Sequence, residues 1–148
     1  MAQHQSDSYI GLSNLPTNSH GGMLMSHRCA VSFAVATTLV AGDLLVLGRL
    51  PAGFTVESVK ADSDVVLAFD VIQTDSLNKL TEKDELVLAK DLNPNANQVD
   101  GTMELKAIRA KGKDTDRFLV AKITTGGALT AGKEVGVTFH YRYRQTAY

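Results

Sequence analysis

The chain has 148 residues, 44% of them hydrophobic, and a formal net charge of −1 at pH 7. This length and apolar content suit one globular domain that buries its own core, and they exclude a disordered chain. A single cysteine, Cys29, excludes an internal disulfide and a cysteine-rich zinc site.

Residues 1–27 are rich in Ser, Asn, Gly and His, and they sustain no hydrophobic period. We predict an extended N-terminal arm that does not join the main core, followed by a β domain over residues 28–148 that folds without it. The alternative is a disordered terminus. The larger apolar residues of the arm exceed what a solubilising tail needs, so we predict that they contact a partner: Tyr9, Ile10, Leu12, Leu15, Met23, Leu24 and Met25.

From Arg28 onward, apolar and polar residues alternate with the period of two that is typical of half-buried strands. Eight runs, separated by Gly, Pro, Asn and Asp turn signals, predict strands over 29–37, 44–47, 54–60, 65–73, 85–89, 103–109, 117–124 and 135–143. The run 65–73 is apolar on both faces apart from Asp70, which indicates a central strand. The sequence therefore predicts an all-β fold, a single sandwich or jelly-roll-like domain of about eight strands.

The last predicted strand places Phe139, Tyr141 and Tyr143 on one face and His140, Arg142 and Arg144 on the other. We predict that this strand contributes to an interface between copies, most simply a symmetric dimer. The alternative for its polar face is ordinary solvation. Residues 60–104 carry ten acidic and four basic side chains, and residues 105–148 carry nine basic and three acidic ones. These charges either neutralise one another within the fold or leave two faces of opposite sign.

No motif for phosphate binding, dinucleotide binding, nucleophilic catalysis or paired-histidine metal binding occurs in the sequence. Residues 91–97 begin like a calcium loop, but Ala96 replaces the required glycine and Thr102 replaces the bidentate Glu, so a turn is expected. We predict no enzyme activity, no catalytic, cofactor-binding or metal-binding residues, and no dedicated nucleic-acid binding. The apolar stretch 29–42 is too short to cross a bilayer, and residues 1–8 lack the basic start of a secretory signal. We therefore expect synthesis in the cytoplasm and no membrane partner.

The segment 40–59, VAGDLLVLGRLPAGFTVESV, places a Gly-Asp turn, an apolar strand, a Leu-Pro-Ala-Gly turn and a second alternating strand in succession. Residues 124–132, TTGGALTAG, then precede the final strand. This order resembles small structural proteins of tailed-phage virions, of the capsid decoration or cement type. The resemblance implies a virion protein that binds the outer capsid surface, contacts the major capsid protein and clamps neighbouring capsid subunits without catalysis.

Two alternatives stay open at this point. A tail, head-completion or fibre-attachment protein would share the β architecture and the lack of chemistry. A ligand- or carbohydrate-binding β module is a different class. It is disfavoured because the chain has no Trp, and because most Phe and Tyr residues fall on apolar strand faces.

Overall fold

A computed structural model describes residues 2–7, 15, 24–77, 85–110, 112–113 and 115–143. These residues form eleven strands and one short helix, so the prediction of an all-β fold is confirmed. The elements are β1 (Gln3–Gln5), β2 (Met25–Ser32), β3 (Thr37–Leu39), β4 (Leu44–Leu50), β5 (Phe54–Ser63), β6 (Ala68–Thr74), β7 (Glu85–Leu92), β8 (Asn97–Asp100), α1 (Leu105–Arg109), β9 (Arg117–Thr125), β10 (Gly127–Leu129) and β11 (Glu134–Tyr143).

Two sheets pack face to face around a single core. The first has the strand order β1-β4-β9-β6-β7, and the second has the order β2-β11-β5-β8, while β10 and β3 form a small ribbon. One apolar cluster draws Leu45 and Leu119 from the first sheet and Val59 and Val137 from the second. The fold is therefore a β-sandwich, and the finer jelly-roll assignment stays a prediction.

The strand β6 lies inside the first sheet, between β9 and β7, as its apolar run indicates. It begins at Ala68 rather than at residue 65. The hydroxyl of Ser63 accepts a hydrogen bond from the Val65 N–H at 3.1 Å and donates one to the Val65 carbonyl at 2.7 Å. These local bonds form a turn that delays the start of the strand.

The predicted turn at Pro51-Ala52-Gly53 is present and joins β4 to β5. The Phe54 N–H donates to the Pro51 carbonyl at 3.2 Å, and Gly53 has a φ of +86°. A side chain at position 53 would be strained by this φ, and its Cβ would stand 2.4 Å from the ring of Tyr143. Both the turn and the packing of the last strand therefore require glycine here.

The strand predicted over residues 103–109 is wrong, because this segment forms the helix α1. The Ile108 N–H donates to the Glu104 carbonyl at 3.0 Å, as in a helical turn. Only Ala107 of the helix is buried, whereas Leu105 and Ile108 are more than half exposed. The apparent alternation of apolar residues in this segment does not correspond to a buried strand face.

Four strands that the sequence did not predict are three or four residues long: β1, β3, β8 and β10. An alternation of apolar and polar residues needs about four positions before it is recognisable. Such short strands add their backbone hydrogen bonds to longer neighbours and carry no periodic signal of their own.

The N-terminal segment also differs from the prediction of an arm outside the core. Gln3–Gln5 pairs in parallel with β4, and β2 begins at Met25. Residues 2–7 and 25–27 therefore belong to the β domain, although the predicted boundary between residues 27 and 28 assigned them to the arm. Leu15 lies in the core and donates its N–H to the Arg49 carbonyl at 2.9 Å. The edge of β4 needs backbone partners, which polar residues supply as well as apolar ones.

Candidate functional site

Residues 2–7, which we call the N-terminal clasp, connect the two sheets at one open side of the sandwich. The Ser6 N–H donates to the Val46 carbonyl of β4 at 2.8 Å, and the Ser6 hydroxyl donates to the Leu47 carbonyl. One residue later, the Asp7 N–H donates to the Ala30 carbonyl of β2 at 2.9 Å, and the Ala30 N–H donates back to Asp7 Oδ1 at 3.2 Å. The clasp therefore holds β4 and β2 together across the gap between the sheets.

The beginning of the clasp is attached to a buried carboxylate. Asp43 Oδ1 accepts the Ala2 N–H at 3.1 Å, and Oδ2 accepts the Val40 N–H at 3.0 Å. These backbone hydrogen bonds hold the pKa of Asp43 below its usual range, and the bond from Val40 has the largest effect. Burial acts in the opposite direction. The His4 ring contacts the Phe33 ring edge-to-face, with centroids 5.5 Å apart.

An ion triad spans three strands on the outer face of the second sheet. Arg28 of β2 donates to Asp62 of β5 and, at 2.7 Å, to Glu134 of β11. The pKa of Arg28 is raised, chiefly by its hydrogen bond to Asp62 and then by that to Glu134. The guanidinium crosses β11 directly above Gly136, where a Cβ would stand 2.5 Å from Nη2. Glycine at this position is what allows the triad to form.

The same outer face carries further polar pairs between strands. Ser58 Oγ lies 2.9 Å from His140 Nδ1, Arg142 Nε donates to Glu57 at 2.8 Å, and Lys60 lies 3.8 Å from Asp100. His140 and Arg142 of the predicted interface strand are therefore engaged with β5 of their own chain. Exposed pairs of this kind contribute little to stability but set the charge pattern that a partner meets.

Two of the three aromatic residues of the last strand, Phe139 and Tyr141, are not available as an interface. The side chains of Phe139 and Tyr141 point from β11 into the core between the two sheets and are fully buried, so this part of the predicted interface is wrong. Burial raises the pKa of Tyr141 to about 12, with a smaller effect from Cys29. Tyr143 is 45% exposed and lies over Gly53, whereas Arg144 is outside the described residues.

The predicted contact residues of the arm fall into three groups. Leu15 is buried in the core of its own chain, so its assignment to a partner contact is wrong. Leu24 is 55% exposed, while Met25 is partly buried against the core. Tyr9, Ile10, Leu12 and Met23 lie outside the described residues.

The loop that resembles the start of a calcium site forms a turn between β7 and β8. Asp91 and Ala96 have positive φ angles of 54° and 50°. Asn93 Nδ2 donates to the Asp91 carbonyl at 2.9 Å, and Asn97 Oδ1 accepts the Asn95 N–H at 2.8 Å. The amide side chains therefore hold the backbone of the turn. Within the described ranges, no three His, Cys, Asp or Glu residues are grouped as metal ligands would be.

A groove that no sequence pattern indicates lies between β7 and α1. Its volume is about 640 Å³, and its lining consists of Glu85, Leu86, Val87, Lys90, Glu104, Leu105 and Lys106. The prediction of a strand over 103–109 concealed it, because a strand there would have filled the groove. The exposed Leu105 is the apolar part of its wall.

One buried cation lies at the end of the sandwich where β4 turns into β5. Arg117 is 1% exposed, and its Nη2 donates to the carbonyls of Phe54 at 2.7 Å and Pro51 at 3.4 Å. Its Nε and Nη1 are buried and have no hydrogen-bond partner within the described ranges of the chain. Desolvation lowers the pKa of Arg117, since the charged form loses its hydration.

No helix in the described part of the chain has the length and apolar character needed to cross a membrane.

Comparison with known proteins gives structural neighbours only. No protein-family model and no curated protein sequence matches the chain. A chain in the solved capsid of Ralstonia phage GP4 has a TM-score of 0.74 and 20% sequence identity, over 99% of this chain and 100% of that one. A chain of the cyanophage Pam1 capsid asymmetric unit aligns over 89% of this chain and 94% of that one, with a TM-score of 0.41 and 13% identity. The first match shows that the two chains share a fold along their whole length.

Proposed function

We propose that the protein is a non-enzymatic structural protein of a phage virion that binds the outer capsid surface and cements neighbouring capsid subunits. The observation that carries this proposal is the shared fold, over 99% of this chain, with a chain of the Ralstonia phage GP4 capsid. The order of turns and strands in residues 40–59 and 124–143 supports the same role by its resemblance to phage decoration proteins.

The tertiary contacts support a role in which the protein acts by binding. The clasp joins β4 to β2, and the ion triad of Arg28, Asp62 and Glu134 joins β2, β11 and β5. A protein that clamps a shell transmits force between its neighbours, so links between strands of the same domain suit this function. Its major partner is then the major capsid protein.

The proposed contact residues in the N-terminal segment are Tyr9, Ile10, Leu12, Met23 and Leu24. Chain on both sides of these positions is attached to the domain, through Asp7 at one end and Met25 in β2 at the other. Leu15 is not included, because its side chain is already buried, and Met25 is not included, because it lies in β2 and packs partly against the core. Self-association as a dimer also stays a proposal, and Tyr143 and Arg142 are the residues of the last strand that are exposed enough for it.

Binding to purified shells tests the proposal. Shells assembled from the major capsid protein of the same phage are mixed with the wild-type protein and sedimented, and cryo-electron microscopy locates any added density. We expect co-sedimentation and density on the outer surface at regular positions. A triple replacement of Tyr9, Ile10 and Leu12 by Ser should weaken co-sedimentation, whereas Val35→Ser, at an exposed site of the domain, should not.

A wild-type protein that stays in the supernatant at all shell concentrations would contradict the proposal. Density at a tail, a portal or a fibre base, instead of on the shell, would favour the tail, head-completion or fibre-attachment alternative. The capsid origin of the structural neighbour favours the shell.

A further inference from the structure

The groove between β7 and α1 lies beside an open strand edge. β7 is the last strand of its sheet among the described residues. Residues 102–104 run antiparallel to it for a short distance, with Ala89 opposite Met103 and the Glu104 N–H donating to the Leu88 carbonyl at 2.9 Å. Continued in the same register, residues 105–107 would lie beside Glu85–Val87. The chain instead turns into α1, and the groove occupies the position of the missing strand.

The groove has the features of a site for an extended polypeptide. A strand edge offers backbone N–H and C=O groups at regular intervals, and an added strand satisfies them. Leu105 is 56% exposed on the opposite wall, where an apolar side chain of the added strand can bury it. The groove is open to solvent along one side and has a volume of about 640 Å³.

The charged residues of the groove form no ion pairs among the residues that the structure describes. None of Glu85, Lys90, Glu104 and Lys106 takes part in an ion pair within the described part of the chain. Glu85 Oε1 is buried and accepts no hydrogen bond from the described residues. A buried oxygen of this kind is costly unless a donor reaches it, so an added segment that brings an N–H or a lysine to Glu85 gains free energy.

We propose that this groove binds an extended segment of a neighbouring major capsid protein subunit, which adds to the first sheet as a strand beside Glu85–Val87. This inference rests on the proposed function, since that function supplies the partner. The segment carries an apolar side chain toward Leu105 and charges of both signs toward Glu85, Glu104, Lys90 and Lys106. A second copy of this chain fits poorly, because residues 102–104 already cover Leu88–Lys90 in each copy and block pairing of two β7 edges.

Hydrogen–deuterium exchange and shell binding together test the inference. Peptides covering residues 85–87 are followed in the free protein and in the protein bound to shells of the major capsid protein. We expect these amides to exchange more slowly on the shells. Leu105→Arg should weaken binding to the shells by about tenfold, because it places a charge in the apolar wall. Val66→Arg is the matched control, since Val66 is 59% exposed and does not line the groove.

The outcomes separate this inference from the proposed function. If the wild-type protein does not bind shells, the proposed function fails first. If it binds, but residues 85–87 gain no protection and Leu105→Arg binds as well as Val66→Arg, the groove is not the contact and this inference fails alone. Protection that rises with protein concentration in the absence of shells would show a second copy in the groove and would also overturn the inference. Circular dichroism of both variants checks that they are folded.

Discussion

The guanidinium of Arg28 lies directly over Gly136, so that a methyl group at position 136 would stand 2.5 Å from its Nη2 atom. This close approach lets one side chain of β2 reach Asp62 on β5 and Glu134 on β11 across the intervening backbone. We predict that Gly136→Ala displaces Arg28 and lowers the free energy of unfolding by about 1 kcal/mol. Urea denaturation measures this loss.

A double-mutant cycle identifies the cause of the loss. In an Arg28→Ala background, Gly136→Ala should cost nothing or should stabilise, since alanine fits a strand better than glycine once the guanidinium is absent. Equal costs in both backgrounds would mean that Arg28 is not what requires glycine at position 136.

The second prediction concerns the N-terminal clasp. Deletion of residues 1–7 removes the hydrogen bonds to Leu44, Val46 and Ala30 and should lower the free energy of unfolding by about 3–5 kcal/mol. The sequence alone predicted that the domain folds without residues 1–27, and the contacts of the clasp indicate that its stability depends on them. The double replacement Gln3→Ala and Gln5→Ala is the control. Both side chains are exposed and β1 acts through its backbone, so less than about 0.5 kcal/mol should be lost. A deletion variant as stable as the wild type would show that the clasp is dispensable.

The third prediction is a pH dependence at Asp43. Its folded-state pKa is lowered, so its stabilising effect is present above the unfolded-state value of about 3.9 and is lost as the pH falls through the folded-state value. Asp43→Asn should lower the free energy of unfolding by about 1–3 kcal/mol at pH 7, because one amide N–H group of the asparagine then faces a backbone N–H. The variant should also flatten the fall of this free energy at acidic pH, because residue 43 then has no carboxylate to protonate. Chemical denaturation between pH 7 and pH 2 measures both effects.

The matched control for Asp43 is Asp100→Asn. The Asp100 side chain is 81% exposed and lies 3.8 Å from Lys60, a separation that gives a weak surface pair. We expect this variant to keep the acid dependence of the wild type. The same flattening in both variants would exclude Asp43 as its source.

The fourth prediction concerns the buried guanidinium of Arg117, whose Nε and Nη1 make no hydrogen bonds to the part of the chain that the structure describes. A buried charge with incomplete partners is costly, so an apolar side chain of similar length should nearly replace it. We expect Arg117→Met to lower the free energy of unfolding by about 1 kcal/mol and Arg117→Ala by about 3 kcal/mol, because alanine leaves a cavity. Equal losses in the two variants would show that the charge, rather than the packing of the side chain, is what the fold requires.

The sequence by itself determined the class of fold and most of its long strands. Alternation over residues 135–143 and the apolar run 65–73 identified β11 and the central strand β6, because a half-buried strand must repeat every two residues and a fully buried one must be apolar on both faces. The turn at Pro51-Ala52-Gly53 was also predictable, because proline and glycine are typical of tight turns. The φ of +86° at Gly53 is one that favours glycine.

Only the tertiary structure decided how the ends and edges are used. The backbone of Gln3–Gln5 pairs with the edge of β4, and Leu15 enters the core. Phe139 and Tyr141 are buried because their face of β11 packs toward the other sheet. These outcomes depend on which strands are neighbours, and that is set by long-range pairing that no local period records. For the same reason residues 105–109 form a helix beside an open edge, and the groove next to Leu105 exists only because the chain leaves β7 there.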